Sequence, residues 1–203
     1  RWNFGASSEI GKLRDSLTGA STDRKAAGVR MGYGRDKVQF SSGLEFRRDL
    51  AEQLDTTHTR RTAWLFRNNF KVQMTPDWRM LGKLDHSVSD SSLGGFYGGG
   101  YTEAVVGYAY RPVRHDRLSV LAKYTYFYNL PTTDQVTLRN TAVEFIQKSH
   151  IAALDLSYDV TANWSVGGKY AYRLGQASLD RVQVNFFDNA AQLTAFRVDR
   201  RFR

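Results

Sequence analysis

The segment "LDHSVSD" (84–90) sets Asp85, His86 and Ser87 side by side, the residue types of a nucleophilic triad. That chemistry needs three groups converging on one point. On a strand, adjacent side chains diverge to opposite faces, so His86 would point away from Asp85 and Ser87. Ser149 and His150 are also adjacent and fail for the same reason. "GGFYGGG" (94–100) has the glycine content of a phosphate cradle, but such a loop must open a helix. Here an alternating apolar segment follows, which predicts a flexible surface loop. The four His show no metal-ligand spacing and Cys is absent, so neither a Cys-based metal site nor a disulfide framework is available. The expectation is therefore no catalytic residue, no metal, no cofactor and no enzyme.

The chemistry then rests on charge, and the elements that must position it come next. In "LSVLAKYTYFYN" (118–129), alternate residues give an apolar set and a mixed, wetter set, the period of a half-buried strand. Ten such segments are predicted, at 2–11, 26–34, 38–47, 63–74, 78–89, 102–111, 118–129, 149–159, 164–173 and 193–202. Short turns ("GRDK", "TPD", "PVRHDR", "VTAN") alternate with longer polar loops near 12–25, 48–62, 90–101, 130–148 and 174–192. His58 and His115 fall at opposite ends of this arrangement. "TPDWR" (75–79) and "TANWS" (161–165) form a small repeat, a turn closed by Asp or Asn with Trp immediately after. The rhythm predicts one all-β domain over 1–203, an antiparallel up-and-down transmembrane β-barrel of about ten strands, and part of a larger barrel if the chain is a fragment.

The two strand faces differ sharply. Over the predicted strands the apolar face has 52 positions and one Lys, Arg, Asp or Glu, namely Arg200. The other face carries 19 such residues, 12 basic and 7 acidic. Candidate lumen-facing residues are Arg30, Arg47, Arg67, Lys71, Arg79, Lys83, Asp85, Glu103, Lys123, Asp155, Lys169 and Arg197. An excess of Lys and Arg lining a lumen favours anions. The aromatic side chains are too many for a narrow interior and are assigned outward to lipid. Trp2, Trp64, Trp78, Tyr108, Tyr110, Tyr124, Tyr126, Tyr158, Trp164, Tyr170 and Tyr172 are the candidate aromatic girdle at the membrane interfaces. No apolar run approaches the ~20 residues of a membrane helix. The net charge of +9 invites nucleic acid as a partner, but stacking aromatics and cations must share a face, and here they do not.

Taken together, these residues resemble a Gram-negative outer-membrane β-barrel over the whole chain. More narrowly, "LAKYTYFYNLP", "WSVGGKYAYRLG" and "AQLTAFRVDRRF" resemble the C-terminal barrel of large multidomain surface proteins of proteobacteria. The resemblance implies a bacterial outer-membrane location, with the lipid bilayer and lipopolysaccharide as partners and no nucleic acid. It also implies truncation, because such barrels continue beyond a strand like "TAFRVDRRF" and end in an aromatic rather than "RFR". Two functions follow as expectations: a passive, anion-preferring pore for small anionic solutes, or an anchor for a surface-exposed passenger. An outer-membrane protease or lipid hydrolase ranks third, for want of a constellation on one face.

Overall fold

The computed structural model describes residues 1–14, 21–52, 58–94, 97–131, 146–179 and 183–200. Ten strands make one antiparallel sheet in chain order: β1 (Trp2–Arg14), β2 (Ser21–Arg35), β3 (Val38–Glu52), β4 (His58–Gln73), β5 (Trp78–Ser91), β6 (Gly99–Tyr110), β7 (Leu118–Leu130), β8 (Ile146–Asp159), β9 (Trp164–Ser178) and β10 (Phe187–Arg200). Every neighbour pairs with the next through a continuous ladder, and β1 and β10 each keep one unpaired edge. The sheet is therefore open. No helix among the described residues is long and apolar enough to cross a membrane.

The strands keep the predicted short-turn ends and run further at the long-loop ends. Thus β2 begins at Ser21 rather than 26, β3 ends at Glu52 rather than 47, β4 begins at His58 rather than 63, and β10 begins at Phe187 rather than 193. The β2 and β4 extensions are polar on both faces and those of β3 and β10 are mixed, so the hydrogen-bonded ladder continues where the apolar alternation has stopped. "GGFYGGG" is likewise not all loop: Gly99 and Gly100 open β6, and Gly94 takes the left-handed φ of 113° in the preceding turn. Residues 201–202, at the end of the last predicted strand, lie outside the described residues.

The repeat at 75–79 and 161–165 makes two like turns, closed by Thr rather than by Asp or Asn. The Thr75 hydroxyl accepts from the Trp78 amide at 3.1 Å, and Thr161 accepts from the Trp164 amide at the same distance. Asp77 instead reaches the neighbouring turn, its Oδ1 accepting from the Val113 amide at 2.7 Å. Aromatic rings cover glycines on the apolar face of adjacent strands, Phe70 over Gly82 and Tyr128 over Gly100. Such lids restore packing where a strand lacks a side chain.

The register fixes which side chains share a face. Trp2 pairs with Tyr33, Tyr33 with Phe40, Phe40 with Phe70 and Phe70 with Gly82. Trp78 pairs with Tyr110, Tyr110 with Val120, Val120 with Leu156 and Leu156 with Gly168. Trp78 lies four residues before Gly82, and Trp164 four residues before Gly168, each toward the short turns. The short-turn ends therefore step by about one residue per strand. With a rise of ~3.3 Å per residue and strands ~4.8 Å apart, ends lying in one plane require strands leaning by about 35°.

The molecule lacks an ordinary core. Among the described residues the buried apolar side chains are Ile146 and Ala177 alone. The accessible surface is 14671 Å², whereas a globular chain of this mass is expected to expose about 9,700 Å². In β5 the exposed residues are Leu84, His86, Val88 and Asp90, while Lys83, Asp85, Ser87 and Ser89 are half-buried. β8 repeats the pattern, with His150, Ala152, Leu154, Leu156 and Tyr158 exposed and Ile151, Ala153, Asp155 and Ser157 half-buried. The apolar face is the exposed one, and the sheet crowds its charged face.

Candidate functional site: the charged face

The register places all twelve candidate charged residues on the polar face, from Arg30 on β2 to Arg197 on β10. Seven of them fall into three groups. The first is ion-paired: Lys83 Nζ lies 2.7 Å from Glu103 Oε2 and 3.1 Å from Asp85 Oδ2, and the Tyr101 hydroxyl donates to Glu103 at 2.8 Å. Tyr101 falls in the predicted 90–101 loop, and only the longer β6 brings it onto this face. The second group sits higher, where Arg47 Nη2 lies 2.6 Å and Arg24 Nε 3.1 Å from the Asp49 carboxylate. Asp49 is three residues beyond Phe46, outside the apolar band defined below. Burial pushes its carboxyl up, but hydrogen bonds and charge from Arg47 and Arg24 outweigh this and hold it below the ordinary carboxylate range.

The third group is cationic and unpaired. Arg30, Arg67 and Lys71 line a groove of about 900 Å³ across β1–β4, with Asn3, Gln39, Ser41 and Asn69 beside them and no acidic residue in the lining. Glycines at 5, 32, 34 and 43 form much of its floor, which leaves the backbone accessible between the cations. None of the three cations has an ion pair among the described residues. At the other side of the sheet, Asp155, Lys169 and Arg197 line a second groove of about 440 Å³. Arg197 pairs with Asp199 at 2.7 Å, and Arg79 donates to Gln73 at 2.9 Å. Lys123 lies beside Gly107 and Ala153 and belongs to neither ion-paired cluster.

The opposite face carries an uncharged band. Between Val38 and Phe46 on β3, Trp78 and Val88 on β5, Tyr158 and His150 on β8, and Trp164 and Leu174 on β9, no outward residue is Lys, Arg, Asp or Glu. Charges resume just beyond, at Arg48, Asp90 and Lys148. Aromatic pairs mark both edges: Trp2 against Tyr33 and Trp78 against Tyr110 at the short-turn side, Phe46 against Trp64 at the other. Tyr158 and Trp164 belong to the short-turn edge, with Tyr108 two residues above Tyr110. Tyr126 and Tyr172 lie near the long-loop edge. Tyr124 and Tyr170 lie six residues from the short-turn ends of β7 and β9, in mid-band rather than at an edge. Asn68 also lies within the band, its Nδ2 buried and without a hydrogen-bond partner among the described residues.

The three tempting constellations stay apart. His86 faces outward and bonds Thr102 at 2.9 Å, opposite to Asp85 and Ser87. His150 also faces outward, 2.6 Å from the Tyr124 hydroxyl, while Ser149 is buried on the other face. His58 and His115 lie at the long-loop and short-turn ends respectively. No group of three metal-ligand side chains occurs among the described residues. Neither a protein-family model nor a curated protein matches the chain.

Proposed function

We propose that the chain forms the wall of a transmembrane β-barrel in a bacterial outer membrane, and that this barrel is a passive, anion-preferring pore for small solutes. One observation carries the membrane assignment: the exposed face is the apolar one, and it is uncharged over nine to eleven residues on β3, β5, β8 and β9. Transmembrane strands need ~9–11 residues. Eleven residues at ~3.3 Å, leaning by about 35°, span about 27 Å, close to the ~25 Å apolar band of such barrels. The same lean falls at the lower end of the 35–45° found for their strands. In hydrocarbon every unsatisfied backbone group costs several kcal/mol, so the free edges of β1 and β10 must pair, with each other or with further strands.

The groove holding Arg30, Arg67 and Lys71 supports anion preference, because three cations face a lining without an acidic residue and outnumber the acidic neighbours beside it, Asp85 opposite Arg67 and Glu45. The ion-paired clusters around Lys83 and Asp49 favour a second reading. Enough such pairs fill a narrow lumen, leaving an anchor for a surface-exposed passenger. The test is conductance across a planar bilayer under a salt gradient, after refolding the chain into lipid. The pore gives stepwise currents with an anion-selective reversal potential, moved toward zero by Arg30→Gln with Arg67→Gln and Lys71→Gln. Insertion shown by protease protection, but without current, establishes the anchor and refutes the pore.

A further inference from the structure

A cluster that the pore does not use lies on the outward face, immediately beyond the apolar band. Lys25 of β2 pairs in register with Arg48 of β3, two like charges directly opposite each other. Cross-strand partners hold their Cβ atoms only ~5 Å apart, and like charges there repel. Arg60 of β4 pairs with Leu50, which puts it diagonally beside Arg48. All three are exposed, and none has an ion pair among the described residues. Among the described residues the acidic groups at this height are Asp23, which pairs with Lys12 at 3.8 Å, and Asp90, two strands from Arg48 in the same row and diagonal to Arg60 without forming an ion pair with it.

The other side of the same strands makes the contrast. There Arg24 and Arg47 share Asp49 at 3.1 and 2.6 Å, so at this height the inward cations have a carboxylate between them and the outward three do not. Height supplies the remaining constraint. Arg48 is two residues past Phe46, whose ring lies 4.7 Å from Trp64 at the edge of the band. Two residues on a strand leaning by about 35° rise about 5 Å, which is headgroup depth. Three uncompensated cations at that depth, above a surface suited to acyl chains, match one ligand in both charge and position.

We propose that Lys25, Arg48 and Arg60 bind the phosphate of a net-anionic headgroup, on a membrane lipid whose acyl chains lie along Phe46, Trp64 and Phe66. This rests on the membrane assignment above. A phosphate oxygen between Lys25 and Arg48 turns their repulsion into two charge-assisted hydrogen bonds, and Arg60 closes the site from above.

The experiment uses the full chain with Trp2, Trp78 and Trp164 replaced by Phe, so that Trp64 alone reports. It is reconstituted in phosphatidylcholine vesicles containing phosphatidylglycerol, with one lipid or the other carrying bromine in its acyl chains to quench Trp64. Each cation near the surface favours an anionic headgroup about fivefold, so Lys25, Arg48 and Arg60 together give a preference for phosphatidylglycerol of about fivefold or more. Lys25→Gln with Arg48→Gln and Arg60→Gln brings the preference to about one, whereas Arg30→Gln with Arg67→Gln and Lys71→Gln leaves it intact. Equal quenching by both lipids, or a preference that survives the outward triple substitution, overturns the site. So does a preference abolished by inorganic phosphate but not by chloride of equal ionic strength, which defines a free-anion site instead. If neither brominated lipid quenches Trp64, the chain is not in the bilayer and the membrane assignment itself fails.

Discussion

Leu154 and Ala153 are neighbours on β8 that face opposite ways, and replacing each by Arg gives opposite consequences. Leu154 lies midway between Tyr158 and His150, the limits of the uncharged band on that strand, and is 40 % exposed. Its register partners are Ala122 and Tyr170, which offer no counter-charge. An Arg at the bilayer midplane costs ~2–4 kcal/mol. Ala153 pairs with Lys123 and Ala171 on the charged face. Arg there stays in a polar setting and meets one like charge across the strand, worth ~0.2–1 kcal/mol. The difference is about 2–3 kcal/mol, with Leu154→Arg the worse. Because the sites are adjacent, chain entropy and strand context nearly cancel. Denaturant titration of the refolded protein in vesicles, followed by the shift of the folded band on a gel, measures both. Equal losses, or a greater loss for Ala153→Arg, would show that the apolar face is not in lipid, since a water-exposed Leu is readily replaced by Arg.

Two further outcomes follow from local geometry. Gly82→Val drives a side chain into the ring of Phe70 and should destabilise the fold by ~1–3 kcal/mol, as overpacking does, with partial rescue by Phe70→Ala. Thr161→Val removes the hydroxyl that accepts from the Asn163 and Trp164 amides; a loss of about 1 kcal/mol in the same titration is expected, and Thr161→Ser should retain most of it.

How much of this was legible in the sequence depends on contrast between faces. Within the band, residues such as Leu154 and Asp155 differ because one lies on the exposed apolar face and the other on the half-buried charged face, so strand, register and face can all be read from alternation. Beyond the band that requirement lapses. Ser21–Lys25, Arg48–Glu52 and His58–Thr62 look like polar loops, yet they continue the ladder. Lys25, Arg48 and Arg60 were hidden for that reason, and only the strand count per hairpin could have extended the elements over them. The turns were found from Thr, Asp, Asn and Trp, but the bonding atom differs from the one expected, since the hydroxyls of Thr75 and Thr161, three residues before the Trp, accept from its amide. Alternation also cannot say which cations find a partner: Arg67 and Lys83 look alike in sequence, and although Asp85 stands opposite Arg67 in the register, it is Lys83 that it pairs with, two residues away on the same strand.

The central claim is that the apolar face lies in lipid, and the absence of Cys allows a direct test. Single cysteines placed in turn from Ile151 to Ser157 on β8, spin-labelled in reconstituted vesicles, report collisions with oxygen, which concentrates in lipid, and with a water-soluble nickel chelate. Positions 152, 154 and 156 should favour oxygen and positions 151, 153, 155 and 157 the chelate, with a strict period of two. Chelate-accessible labels at 152, 154 and 156 would contradict the membrane assignment and return the sheet to water.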